Sequence, residues 1–273
     1  MRNLLHANLC RMVRSKAFLI AVLAETAYMA MVVLVCWDHY ATGTGHYTLE
    51  SIFTAGYVLM GYLPIPTLII APLLSVYLGT EYSDSTLRNK LIVGHTRAEV
   101  YLADLLACVV TALGLDVLYL VLSGLLCIRP VLGMCGVLLR VSWGQMLAWA
   151  AVALLARAAY AAIVKLLATV LGSRTASAIT VLLLVVGAAL LCTSAFHEMQ
   201  YIERGLAGGY PVENGEARLA FWHLLVDVLP TGQYIQISRL DTPSLWRMPL
   251  LSAAVIAVTT GTGLVLFQRR NLK

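Results

Sequence analysis

The sequence predicts an all-α integral membrane protein. It has six transmembrane helices, an N-terminal interfacial helix, a short cytoplasmic helix between spans two and three, and a re-entrant or outer-leaflet helix before the last span. Three observations predict this. First, 60% of the 273 residues are hydrophobic and 12% charged, about half the charge of a globular chain, so too little polar surface exists to cover a soluble domain. Second, apolar runs of about 20 residues or more recur, each long enough for a hydrocarbon core of about 30 Å. Third, the basic residues between these runs fall mainly on one side. The net charge of +5 follows that topology rather than forming the basic face that nucleic acid requires, so no nucleic-acid partner is expected.

Residues 1–16 form the interfacial helix. Leu4, Leu5, Leu9, Met12 and Val13 share one arc, with Asn3, His6, Cys10, Arg11 and Arg14 on the other, the pattern of a helix lying in the headgroup plane. The apolar run that follows is too long for a cleavable signal and lacks a small-x-small cleavage site. Span one, 17–37, carries Glu25, and the outer loop after it has Asp38 and Glu50 but no Lys or Arg. Span two, 53–80, is long enough to require a tilt, a kink or a projecting end, and Gly61, Pro64, Pro66 and Pro72 supply the means to kink it.

The polar stretch 82–94 reads as one brief amphipathic helix. Ser83 or Asp84 caps its start, Leu87 and Leu91 fall four apart on one face, and Gly94 suits a left-handed stop. Thr96 and Glu99 then form a capping box that opens span three, 97–127. Span four is 143–171, and a tight turn with Ser173 and Arg174 leads to span five, 174–195. Residues 196–245 are an extracellular region containing an apolar segment, 217–229, that is too short to cross and ends at Pro230. It either lies on the outer leaflet or packs on the outer ends of the spans. Span six is 246–267.

With both termini inside, Arg2, Arg11, Arg14, Lys16, Arg88, Lys90, Arg97, Lys165, Arg174, Arg269, Arg270 and Lys273 lie on the inner side. Arg129, Arg140, Arg204, Arg218, Arg239 and Arg247 lie outside, half of them in the long loop. Trp37, Trp143 and Trp246 then sit at the outer ends of spans, as an aromatic belt requires. The six cysteines show no CxxC pair or zinc spacing. Cys127 and Cys135 flank one short outer loop, which leaves open both a disulfide and separate free thiols.

A turn between two spans needs only a few residues, so a separate helix with an apolar ridge and a basic flank looks like a docking element for a cytosolic partner. The stretch Glu81-Tyr82-Ser83-Asp84-Ser85-Thr86-Leu87-Arg88-Asn89-Lys90-Leu91, followed by Gly94-His95-Thr96-Arg97, resembles the coupling-helix motif of ABC exporter permeases of the ABC-2 family. Leu229-Pro230-Thr231-Gly232-Gln233 and the basic tail after Phe267 fit the same pattern. Ser85 stands where that family usually has Gly. The resemblance spans the chain, 1–273, as one ABC-2-type transmembrane domain, and implies a multi-pass protein of the bacterial plasma membrane with both termini cytoplasmic. It implies separate ABC ATPase subunits docking on Glu81, Thr86, Leu87, Arg88, Lys90, Leu91 and Arg97, and a second permease chain, identical or related. No GxxxxGK[ST] loop is present. The chain is therefore expected to be a permease rather than an enzyme, binding no cofactor itself, with ATP and Mg held by the partner. An apolar outer-leaflet helix and few pathway charges point to an amphipathic or hydrophobic exported substrate, such as an antimicrobial peptide in a resistance system.

Ionisable groups inside spans are costly, by at least about 2.5–3.5 kcal/mol each when unpaired, so Glu25, Asp116 and Arg157 stand out. Asp116 and Arg157 lie near mid-span and are either part of a polar substrate path or a buried pair fixing helix packing. Glu25 has no evident partner and is either a pathway residue or a protonated carboxyl packed on a neighbour. Two other function classes compete. His197-Glu198 hints at a zinc protease, but Tyr201 occupies the second histidine's place in HExxH. An ion-gradient transporter working without an ATPase would use Glu25 and Asp116, yet it predicts matched broken helices, and it leaves the 82–94 helix unexplained.

Overall fold

The computed structural model describes residues 1–41, 64–84, 86–126, 143–208, 213–239 and 242–270. Among these the chain is all-helical, with ten helices and no strand. They are α1 Arg2–Val13, α2 Lys16–Ala41, α3 Pro64–Ser83, α4 Thr86–Ile92, α5 Arg97–Leu126, α6 Trp143–Leu171, α7 Arg174–Ala207, α8 Gly215–Val228, α9 Pro230–Ser238 and α10 Arg247–Arg269. Five of them, α3, α5, α6, α7 and α10, are long and apolar enough to cross a membrane, consistent with a membrane protein.

Helices α3 and α5 are the most buried of the five, whereas α7 and α10 present most of their length outward. Helix α3 runs along α7, α6 runs along α10, and α1 lies along α5. Small residues permit the closest of these approaches, as they do wherever packing rather than water drives helix association. The hydroxyls of Ser75 and Ser177 meet at 2.6 Å, and a Cβ on Gly79 would stand 2.5 Å from the Cα of Arg174. Gly263 on α10 lies directly against the Tyr101 phenol of α5.

The structure differs from the sequence expectations at several elements. Helix α1 buries Leu4, Asn8 and Met12 and leaves Val13 exposed, so its inner face is set by the contact with α5 and includes a polar residue. Pro72 lies inside α3, which is described from Pro64. Helix α7 continues to Ala207, well past the expected end at 195: no Pro interrupts it, and it runs through Gly187 and Gly205 to its C-cap at Gly208. Its 34 residues extend about 50 Å, longer than a hydrocarbon core, and α8 packs on it. Pro230 ends α8 as expected but also opens α9, a helix absent from the sequence reading; proline at the first helical position is favourable. The loop after Trp37 beyond Ala41, the first part of span two, Ser85, and the loop with Cys127 and Cys135 lie outside the described residues.

Candidate functional site

At the end of the bundle where α3 stops and α5 starts, five helices meet in one buried charge cluster. Asp104, in the second turn of α5, accepts from Lys165 Nζ of α6 at 2.7 Å through Oδ2. Its Oδ1 accepts from Lys90 Nζ of α4 at 2.9 Å and from Asn8 Nδ2 of α1 at 2.8 Å. Glu81, at the end of α3, accepts from Lys90 at 2.8 Å and is ion-paired with Arg11 of α1. The side chains of Glu81, Asp104 and Lys165 are fully buried, while that of Arg11 is 37% exposed. Three cations thus surround two carboxylates, and the excess charge sits at the wet edge. Burial pushes the Lys90 ammonium below its ordinary value, against the pull of Asp104. Tyr77 completes the joint: its hydroxyl donates to the Asn8 carbonyl and accepts from Arg11, both at 3.1 Å.

The sequence reading passed over Asp104 and counted Lys165 only as an inner-side charge. A signal was present. Each lies about two turns from the same end of its helix, Asp104 after the start of α5 and Lys165 before the end of α6, so the two share a depth. Sequence spacing does not say which helices are neighbours, and that decided the pairing.

The cluster reorders the residues assigned to docking. Of Glu81, Thr86, Leu87, Arg88, Lys90, Leu91 and Arg97, Arg88 alone is exposed. Leu87 is buried in the core and Leu91 packs against it, so the predicted apolar ridge turns inward and anchors α4 rather than facing a partner. Thr86 Oγ1 donates to the Glu81 carbonyl at 3.2 Å. Arg97 is spent on the last turn of α10, donating to the carbonyls of Phe267, Gln268 and Arg270 at 3.2, 2.7 and 2.8 Å, where a cation suits a helix C-terminus. Outward α4 shows Arg88 and Asn89, then Ile92 and, just beyond it, Val93, the last two 72% and 78% exposed. The helix covers Thr86–Ile92, shorter than the expected 82–94, because α3 runs on through Ser83. The Ser83 hydroxyl donates back to Gly79 at 3.1 Å instead of capping α4. Gly94 takes φ +101°, the left-handed stop that a Cβ would disfavour. Thr96 and Glu99 make the reciprocal capping box, with Thr96 N donating to Glu99 Oε2 at 3.0 Å and Glu99 N to Thr96 Oγ1 at 3.2 Å.

At mid-length of α5 and α6, Asp116 and Arg157 form a bidentate pair, Nε to Oδ2 at 2.9 Å and Nη2 to Oδ1 at 2.8 Å. Arg157 Nη1 donates to Thr67 Oγ1 of α3 at 2.8 Å, and the guanidinium lies 5.1 Å from the Tyr234 ring centre. Tyr234 stacks on Tyr160, whose hydroxyl meets Thr231 of α9. Glu25 reaches the same region from α2. It is 3% exposed, and its two oxygens meet no hydrogen-bond donor among the described residues.

A third polar joint ties α8, α9 and α10. Gln233 Nε2 donates to the Asp227 carbonyl at 2.6 Å and its Oε1 accepts from Ser252 at 2.8 Å, while Gln236 donates to Asp227 Oδ1 at 2.9 Å. The Pro-Thr-Gly-Gln stretch thus folds a buried corner, and Gly232 lies against the Val226 carbonyl. His197 is exposed on α7, and Glu198 pairs with Arg218 at 3.0 Å in a solvent-facing bridge, an arrangement with no zinc-helix geometry. No protein-family model and no curated protein sequence matches this chain.

Proposed function

We propose that the chain is the membrane-spanning permease subunit of an ATP-driven exporter of the ABC-2 type. In this reading α2 is the first of six spans, both termini and α4 are cytoplasmic in a bacterial plasma membrane, and a second permease chain completes the pathway. The observation that carries it is α4, a one-helix outpost between two long apolar helices. Leu87 and Lys90 clamp its inner face, while Arg88, Ile92 and Val93 at its outer face and end are left bare. A rigid apolar tip beside a guanidinium is the kind of surface that protein interfaces cover. Docked ATPase subunits would push on α4, and the Lys90–Glu81–Asp104 links join that helix to α1, α3, α5 and α6. The exported substrate is amphipathic or hydrophobic, an antimicrobial peptide being the leading case, since among the described residues the charges at mid-length of the spans are mutually satisfied apart from Glu25.

The test is purification of a tagged chain from its native membranes with photolabelling by azido-ATP. The wild type is expected to bring down an ATP-labelled subunit, and Ile92→Asp with Val93→Asp to lose it at unchanged thermal stability. Absence of a labelled subunit from the wild type, or its retention by the double variant, overturns the reading. Orientation is checked separately in a chain freed of native cysteines: Glu213→Cys should react with an impermeant thiol reagent on intact cells and Arg88→Cys only after permeabilisation. A second reading, an ion-gradient transporter without an ATPase, is favoured by Glu25, whose oxygens meet no donor among the described residues; transport that persists without ATP would select it.

A further inference from the structure

The mid-length polar cluster holds two carboxyls and one guanidinium. Asp116 occupies Nε and Nη2 of Arg157, Thr67 occupies Nη1, and the Tyr234 ring covers one face. Glu25 lies near enough to feel the charges of both Asp116 and Arg157, and no hydrogen bond joins its oxygens to Arg157. Its surroundings are Thr26, Met29, Leu118, Tyr119 and Leu122, around a cavity of about 10 Å³, room for at most one water molecule. The Thr26 hydroxyl is already committed to the Val22 carbonyl at 2.7 Å. Among the described residues, an ionised carboxylate so placed would have neither solvent nor donor, and groups in that position neutralise instead.

We propose that Glu25 is a proton-binding site in the interior of the bundle. It holds its proton while Asp116 holds Arg157, and on releasing the proton it competes with Asp116 for the guanidinium. Among the described residues, the charged and titratable groups near it are Asp116 and Tyr119 from α5 and Arg157 from α6, with Tyr28 of α2 stacked on Tyr119. Proton loss would set two carboxylates against one cation, drawing Arg157 from its α5 partner toward α2 and exchanging one interhelix tie for another. Proton occupancy thereby selects which helix Arg157 locks. The inference shares with the reading above the membrane placement of α2, but it needs no ATPase.

The experiment treats the full chain in lipid nanodiscs with dicyclohexylcarbodiimide and, in parallel, with a charged water-soluble carbodiimide, followed by peptide mass mapping. A buried carboxylic acid passes its proton to a carbodiimide nitrogen, its oxygen adds to the central carbon, and acyl migration to nitrogen gives a stable N-acylurea with no atom lost. The expected result is an adduct on Glu25 from the apolar reagent, none from the charged one, and none on Asp116. In Asp116→Asn the freed Arg157 should capture the Glu25 carboxylate, lowering adduct formation by about tenfold or more. Absence of a Glu25 adduct with either reagent overturns the proton site, and undiminished labelling in Asp116→Asn overturns the competition. Labelling by the charged reagent overturns the inference and also the membrane placement of α2. Should Asp116→Asn fail to fold, the wild-type mapping still decides the site, and loss of labelling as pH rises decides its titration.

Discussion

Replacing Asp104 by Asn tests the charge cluster most directly, because it removes a charge without removing volume. Donors reach the carboxylate from both sides: Lys165 on Oδ2, and Lys90 with Asn8 on Oδ1. An amide offers one carbonyl oxygen and one NH₂ group, so either orientation turns NH₂ toward a donor. Lys90 retains Glu81 and has an edge toward solvent, but Lys165 is fully buried and loses its anion. Neutral groups remain beside it, among them the faces of Tyr101 and Phe267 at 5.2 and 6.0 Å. Stranding a buried charge costs about 3–5 kcal/mol, a fall in melting temperature on the order of 10 °C for a domain of this size. Glu81→Gln supplies the contrast. Arg11 can turn to water and Lys90 retains Asp104, so the loss should be about 1–2 kcal/mol. The double variant Asp104→Asn with Lys165→Met leaves no stranded ammonium and should recover about 2 kcal/mol relative to the summed single losses. Thermal unfolding in a fixed lipid-detergent mixture reads the wild type, Asp104→Asn, Lys165→Met, Glu81→Gln and the double variant. If Asp104→Asn costs no more than Glu81→Gln, or if the double variant is additive, the cluster is not a buried charge clasp.

The mid-length pair obeys the same logic: Arg157→Gln should cost about 3–5 kcal/mol and Asp116→Asn less, since Glu25 can take over Arg157, with partial recovery in the double variant by the same unfolding assay. Additive losses would reject the pair. Gly79→Ala should destabilise by about 1–3 kcal/mol, since its Cβ would press on the Arg174 backbone. Gly187→Ala, with nothing within 4 Å, should be neutral or slightly stabilising, and equal effects in a melting comparison would contradict the close α3–α7 contact. For pH, Lys90 titrates below its ordinary 10.5 when folded, so between its lowered value and 10.5 the unfolded chain binds more protons. Its contribution to stability should therefore rise with pH across that window, and Lys90→Met should remove the difference in slope; an unchanged slope would exclude Lys90 as its source.

The sequence by itself determined the all-helical, apolar architecture, because long apolar runs leave one way to satisfy a backbone away from water. It also determined the local devices whose partners lie within four residues. Gly94 stops α4, and Thr96 with Glu99 opens α5, as their order in the chain dictates. Tertiary structure decided everything that depends on which helices adjoin. Leu87 and Leu91 share a face as their spacing requires, yet whether that face meets solvent or the core depends on α3 and α5 standing behind it. Arg97 reads as a basic flank until α10 ends beside it, when it becomes a cap for three carbonyls. Asp116 and Arg157 were identifiable as a possible pair because one short loop makes their helices antiparallel neighbours. Asp104 was not, since its partners come from α1, α4 and α6, segments far apart in sequence. A buried charge declares its cost in the sequence, but the helix that offsets that cost is chosen by packing.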